Sequence, residues 1–515
     1  MGNQTTISRL FIILIVVFSS VISQQRIIRR IQGNPLNIFN VADWKTYAGF
    51  RSVTDLVETQ QYIFFSTDGG GLLRYDKYRG EFISPITSSN GLLSNVIFSI
   101  QESVTDTNTI AKSRAQLITD RGKQVIDLSI NDNFLFPDPI QFGFQPAMEN
   151  PQIKRVNLSN FDANFWPPFI VNSEGISDGH FDFYRDVYSY VDADKNYWLL
   201  VKNLGLFKAK TDASPYSYYR IGPEQSPLNS ITLHNGDLWI GQSQINQKNP
   251  ILSVWRENNQ WENWNTEDLH YFAMKRINKV FSDGQFLWLG SDEGLLKLTT
   301  ETINASVYLR NQKRSQIIND IELLNNRLLL ATNGGLLSYN RESDAGFQIE
   351  YKSLSNSEVF SVAVGDSTIM AVTRFGIYTI NADYSGVSLL NDELDTEPVA
   401  TTLVDFYGGK FWFNSNEGIF SYDAKTAEVI KIRLFSPNFN LRINKIIVDG
   451  DYVFLGTNKG LIIYYSYLQD WIWFSTGDGL PNNDVRDLLL DGDYLFIVTR
   501  NAVTEFRWFD KRRTY

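Results

Sequence analysis

Three short motifs in the 515-residue chain carry residue types that could do chemistry. Gly175-Ile176-Ser177-Asp178-Gly179, followed by His180, fits the G-x-S-x-G form, in which a serine on a sharp strand-to-helix turn becomes an acyl nucleophile. The text after it, HFDFYRDVYSYV, alternates like strands and supplies no helix to complete such an elbow, so Ser177 is expected in a polar turn. Asp192, Asp194 and Asn196 open like a calcium loop, but Tyr197 stands at the sixth position, where the sharp turn needs glycine, and no glutamate stands at the twelfth. These residues are predicted to form the turn between two strands of a repeat. Ser66-Thr67-Asp68-Gly69-Gly70 starts like a sialidase Asp-box, S-x-D-x-G-x-T-W, but continues Gly71-Leu72-Leu73 without its ending.

Composition removes further chemistry. No cysteine is present, which excludes disulfides, thiolate nucleophiles and thiolate zinc sites. His180, His234 and His270 are too few and too scattered for a histidine-rich metal site. No catalytic residue, metal or cofactor is therefore assigned. With 43% hydrophobic and 20% charged residues the chain has the composition of a globular protein. Its net charge of −10 would repel a phosphate backbone and argues against nucleic acid as a partner.

The elements that must position any site are repeats. Ile277 to Leu298 (INKVFSDGQFLWLGSDEGLLKL), Ile318 to Tyr339 (INDIELLNNRLLLATNGGLLSY) and Ile443 to Tyr464 (INKIIVDGDYVFLGTNKGLIIY) repeat one text. Alternating apolar runs joined by Gly-containing turns predict antiparallel hairpins. Gly294, Gly335, Gly376, Gly418 and Gly460, followed by Ala502, are spaced 41, 41, 42, 42 and 42 residues apart, the length of a four-stranded propeller blade. Gly71, Gly122 and Gly205 hold the same place in earlier units, while residues 131–183 fit worst, as a degenerate blade or an insertion. The prediction is an all-β propeller of four-stranded antiparallel blades, about ten to eleven repeats, in one ring or two.

The chain ends carry two further expectations. Arg9 precedes the apolar run Leu10 to Phe18, extended to Ile22, and small Ser23 follows, which reads as a signal peptide over 1–23 ahead of a leader over 24–40. Such a run falls short of the ~20 apolar residues that span a bilayer and no other segment is longer or more apolar, so the mature chain from Gln24, with its propeller repeats over 41–515, is expected to have no transmembrane helix and to be secreted or periplasmic. The last unit has three strands, and Asp43-Trp44-Lys45-Thr46-Tyr47 resembles outer strands such as Trp261-Glu262-Asn263-Trp264 and Trp471-Ile472-Trp473-Phe474. This N-terminal strand is predicted to complete the last blade; with two rings, one would then interrupt the other.

The junctions Gly91-Leu92-Leu93-Ser94-Asn95-Val96 and Gly479-Leu480-Pro481-Asn482-Asn483-Asp484-Val485, each followed by an alternating strand, resemble the two-component regulator propeller repeat. The resemblance implies β-propellers like the periplasmic sensor regions of hybrid histidine kinases and the propeller associated with the type IX secretion sortase. No kinase or membrane helix accompanies the repeats here, so the resemblance implies a fold and no signalling output.

Within the repeats, Trp198, Trp239, Trp288 and Trp412 share one second-strand position with Phe64, Phe454 and Phe496, which predicts blade-to-blade packing. The outer-strand tryptophans are expected to be partly exposed. Asp68, Asp292, Asn333, Arg374, Asn416, Asn458 and Arg500 lie just before the turn residue and are predicted to line one rim with the junctions. Asp and Asn cap turns with their own side chains, a role closed to Arg374 and Arg500. The expected function is an exported binding or assembly module without catalytic activity of its own, with a protein or glycan ligand at one face. The alternative is a secreted carbohydrate-active lyase or hydrolase working in the propeller funnel.

Overall fold

The computed structural model describes residues 39, 41–103, 114–128, 150–161, 164–166, 168–178, 183–211, 214–224, 227–245, 251–256, 260–265, 269, 274–300, 304–308, 317–343, 345–349, 354, 357–390, 401–415, 418–433 and 441–509. The signal peptide and nearly all of the leader thus lie outside the described residues, as do His180, His270 and Asn416. Among those described, eleven antiparallel sheets form, eight of them four-stranded meanders. Apart from short 3-10 turns, every regular element among the described residues is a strand.

The turn glycines act as their spacing implies. Gly460 has φ +127°, and a Cβ there would stand 2.0 Å from the Phe474 carbonyl oxygen, so both backbone conformation and space demand glycine. The recurrent second-strand aromatics are buried and pack between sheets: Trp288 clusters with Ile318, Ile321 and Leu328 of the following sheet, and Trp239 with Ile277 and Val280. Trp261 and Trp264 depart from expectation. They are 3% and 6% exposed, because Trp261 stacks on Trp255 and Trp264 lies edge-on to Trp239. Trp471 and Trp473 are partly buried.

A β-bulge recurs near the start of the first strand of eight sheets, skipping Thr54, Phe98, Asn229, Asn278, Asn319, Phe360, Asn444 and Arg486 in the register. A bulge leaves one residue unpaired and re-aims its side chain. Here the polar skipped side chains reach the neighbouring sheet. Asn229 Nδ2 donates to the Ile277 carbonyl, Asn278 Nδ2 to that of Ile318, Asn319 Nδ2 to that of Val359 and Asn444 Nδ2 to that of Val485. Each acceptor is the opening residue of the next first strand. Arg486 Nη1 donates in the same way to the Leu228 carbonyl, joining the last sheet to one far earlier in sequence.

These bonds run along a circuit of neighbours. The first strands Leu228–His234, Ile277–Ser282, Ile318–Leu324, Val359–Val364, Val404–Tyr407, Ile443–Asp449 and Val485–Asp491 lie side by side in that order, and Val485–Asp491 lies against Leu228–His234. The sheet of the last of them is 3 strands from the C-terminal end of the chain plus Trp44–Ala48, which pairs antiparallel with Ala502–Arg507 and sets Trp44 opposite Phe506. Trp44 stacks on that ring at 3.9 Å.

The remaining sheets come from the chain between Trp44–Ala48 and Leu228–His234. The sheet opening with Val53–Glu58 borders that of Ile97–Ser103, through Thr54 Oγ1 to the Ile97 carbonyl at 2.6 Å, and that of Val187–Val191, where Phe65 packs on Trp198. Residues 131–183 are irregular where they are described: Ile170–Asn172, Gly175–Ser177 and Phe183–Tyr184 make a short three-stranded sheet, while Lys154–Arg155 adds a fifth strand to the sheet of Val187–Val191. This group leaves and rejoins the chain at one place. The Phe50 carbonyl accepts from Arg220 Nη2 at 3.0 Å, and Gly222 leaves no room for a side chain beside the Ala48 backbone.

Candidate functional site

Four of the rim residues spend their side chains on the backbone. Asp68 Oδ1 accepts from the Arg51 and Ser52 amides at 2.7 and 3.0 Å, and Asp292 Oδ1 from those of Lys275 and Arg276 at 3.1 Å each. Asn333 Oδ1 accepts from the Ile317 amide and Asn458 Oδ1 from that of Arg442. Their own amides donate back to the same incoming segment, Asp68 to the Ser52 carbonyl and Asn458 to that of Arg442. The second-to-third turn of each of these four sheets is thereby pinned to the connection that leads into its own first strand. Arg374 keeps the backbone part of this pattern, its amide donating to the Glu358 carbonyl, whereas the Arg500 carbonyl accepts from the Leu228 amide at the start of another sheet. Both side chains are exposed.

The two junctions fold into equivalent knots. In the first, the Thr87 amide donates to Asn90 Oδ1, the Ser88 amide to Asn95 Oδ1 and the Leu92 amide to the Thr87 carbonyl. In the second, the Ser475 amide donates to Asp478 Oδ2, the Thr476 amide to Asn483 Oδ1 and the Leu480 amide to the Ser475 carbonyl. Gly91 and Gly479 both adopt positive φ, and Leu92 and Leu480 plug into the core. The knots hold the strand Trp44–Ala48 from two sides: Asn90 Nδ2 donates to the Trp44 carbonyl, and Gly479 lies flat on the Trp44 indole. Between them opens a cleft of about 1030 Å³, whose lining includes both knots, Asp68 and Arg500, with Arg51 and Arg121.

A second polar region, which the sequence reading did not single out, lies along the circuit of first strands. Lys279 Nζ pairs with Asp320 at 2.8 Å, Lys445 with Asp487 at 3.5 Å, and Ser361 Oγ donates to Asp320 at 2.7 Å. Burial works against the Lys279 charge, but Asp320, Glu322 and Asp487 outweigh it and raise its pKa. Burial likewise pushes Asp320 up, and Lys279 with Lys445 reverses this, leaving it below the usual carboxylate range. Glu322 is pushed up to about 7 by burial, against the pull of Lys279 and with added push from Asp320 and Asp405. Asp405, raised chiefly by burial, accepts from the Val448 amide at 2.8 Å. The signal for this region was present in sequence: Lys279, Asp320, Lys445 and Asp487 occupy one repeat position, the third residue of their first strands.

Of the sequence motifs, the described residues stand in strands and turns. Ser177 is buried at the end of the strand Gly175–Ser177, paired with Ile170 and Phe183, and so stands in a sheet and not in the expected turn. Asp192 caps the turn between Val187–Val191 and Tyr197–Val201, accepting from the Asn196 amide and from Trp198 Nε1. His234 is buried beside Ser282 Oγ at 2.8 Å, and burial lowers its pKa.

No protein-family model matches the sequence, and no curated protein sequence matches it either. Solved structures do. PorZ, an essential bacterial surface component of the type-IX secretion system of Porphyromonas gingivalis, aligns with a TM-score of 0.50 at 11% identity, over 90% of this chain and 87% of that one. The extracellular domain of the hybrid two component system BT4673 from B. thetaiotaomicron aligns with a TM-score of 0.48 at 15% identity, over 90% and 70%. That of BT3049 from the same organism aligns at 0.43 and 14%, over 88% and 74%. These are the kinds of protein that the two junction motifs resemble, and at 11% identity what the likeness to PorZ establishes is the fold.

Proposed function

We propose that the chain is an exported β-propeller binding or assembly module without catalytic activity of its own. In this reading residues 1–23 are a signal peptide, 24–40 a leader and 41–515 the propeller repeats, in a secreted or periplasmic protein. The circuit of seven first strands is one ring, closed by Trp44–Ala48, and the sheets between Arg51 and Glu224 are a second, smaller group inserted into it.

The observation that carries the binding role is the contrast on the turn face. Asp68, Asp292, Asn333 and Asn458 are committed to the backbone, whereas Arg374 and Arg500 hold exposed guanidinium groups at the same repeat position. Arginine forks suit carboxylates and other anions on a protein or glycan. The test is capture of partners from the exported fraction by intact protein and by the Arg374→Ala/Arg500→Ala variant, followed by titration of the captured partner. The variant is expected to fold normally and lose at least about 2 kcal/mol of binding; equal affinity would move the site off this face.

One observation favours the second reading, a glycan-cleaving enzyme. Glu322, with its pKa near 7, has the protonation expected of a general acid beside ionised Asp320. Against this, Asp320 is tied to Lys279 and Ser361, as a structural ion pair would be. Glycan cleavage by purified protein that disappears in Glu322→Gln would establish the enzyme.

A further inference from the structure

We propose that the ε-amino group of Lys208 captures aldehydes as imines, within a cluster of aromatic rings between two sheets. The inference is independent of the turn-face reading. Lys208 lies in the strand Gly205–Ala209, cross-strand from Trp198. Its Nζ stands 4.5 Å from the centre of the Tyr75 ring, which belongs to the neighbouring sheet, and 5.5 Å from that of Trp198. Phe82 and Tyr219 pack on both of these rings. Nζ also donates a hydrogen bond to the Tyr75 hydroxyl.

Among the described residues no carboxylate forms an ion pair with Lys208. Asp192 and Asp194 act on it from further off: the first accepts from Trp198 Nε1 at 3.0 Å, and the second pairs with Lys77 at 3.2 Å. The ring faces attract an ammonium but replace only part of the hydration that burial removes. Burial lowers the Lys208 pKa, Asp192 and Asp194 oppose this, Lys210 adds to it, and the outcome is a lowered value. Such an amine is neutral, and hence nucleophilic, more of the time than an ordinary lysine. Lys208, Phe82 and Tyr219 are each partly exposed, which opens the cluster to a small apolar aldehyde.

The Tyr75 contact favours imine formation over acyl transfer, because only the former must expel a hydroxyl as water. The Nζ lone pair forms the C–N bond as the carbonyl π pair moves to oxygen, which takes one amine proton to give a carbinolamine. Tyr75 then protonates the hydroxyl, water leaves as the nitrogen lone pair forms C=N, and the remaining N–H proton returns to the phenolate. Burial raises the Tyr75 pKa, with Tyr219, Asp192 and Asp76 adding to it, and the iminium cation beside the phenolate offsets the cost of ionising it. Lys297 supplies a contrast. It lies cross-strand from Trp288 with Nζ 3.9 Å from the Phe286 ring centre, but makes no hydrogen bond to a phenol among the described residues.

The experiment incubates purified protein with benzaldehyde and cyanoborohydride at pH 7, which reduces each imine to a stable benzyl amine, and follows the labelled lysines over time by peptide mass spectrometry. Lys208 is expected to label several-fold faster than Lys297, and the gap to narrow as pH rises towards the ordinary pKa of lysine. Tyr75→Phe keeps the ring and should slow labelling at Lys208 alone. Lys208→Arg keeps the charge and should abolish the early label with an unchanged melting temperature. Labelling of Lys208 no faster than Lys297 in the wild type would overturn the proposal and make Lys208 a structural cation, whether or not the variants fold. Undiminished labelling in a folded Tyr75→Phe protein would overturn the proton transfer assigned to Tyr75.

Discussion

Glu322 ties stability to pH. Its folded pKa of about 7 lies above the ordinary value of 4.5, so the folded protein keeps a proton that the unfolded chain releases. This contribution is fully favourable below the ordinary value and is lost as pH climbs towards 7. Glu322→Gln fixes the neutral form: its melting temperature should equal wild type at pH 4 and exceed it by a few degrees, roughly, at pH 8. Identical pH dependence in the two proteins would mean that Glu322 titrates at its ordinary value. The bulge residues make a second residue-scale prediction. Asn278→Ala removes one neutral hydrogen bond to the next sheet and should cost about 1 kcal/mol, whereas Arg486→Ala removes a charge-assisted one and should cost about 2 kcal/mol, both read from denaturant midpoints. The asparagines were visible in the repeated Ile-Asn-Lys and Ile-Asn-Asp text, but their role was not, because period-two alternation cannot reveal the one-residue register shift that turns them towards a neighbour.

At the scale of elements, hairpins and turns were legible because each is a local matter of alternation and backbone conformation. The spacing of Gly294, Gly335, Gly376, Gly418 and Gly460 marks the start of third strands, and all five adopt positive φ. The same logic yields a contrast within one knot. Gly479→Ala forces a Cβ to 2.9 Å from the Trp44 indole at φ +121°, and should destabilise by roughly 1–3 kcal/mol. Gly477→Ala, two residues away, meets nothing closer than Ser475 Oγ at 3.6 Å and should be nearly neutral. Equal melting temperatures for the two variants would show that the knot does not clamp Trp44. The cleft itself was not legible, because its two knots lie at opposite ends of the repeat array and meet only through the strand between them.

At the scale of the molecule, the chain around Ala48 to Arg51 and around Arg220 to Gly222 lies together, so the sheets between these points can be excised without a long gap. Joining Gly49 to Pro227 by a short flexible linker should give a folded protein with lower but cooperative thermal unfolding, since Phe50 and Ile221 share a core cluster with Leu228 and Ile231. Aggregation with no cooperative transition would argue that the seven sheets do not form a unit. The repeat texts also explain how sequence pointed to the fold but not to a ligand: packing positions recur and announce themselves, whereas a binding face is built from the positions that vary. The central claim, that this variable turn face binds, is tested most directly by hydrogen–deuterium exchange of the protein with and without its captured partner. Protection is predicted in segments 88–96, 475–483 and 500–501; protection confined instead to outer-strand segments such as 467–473, with the knots unchanged, would contradict it.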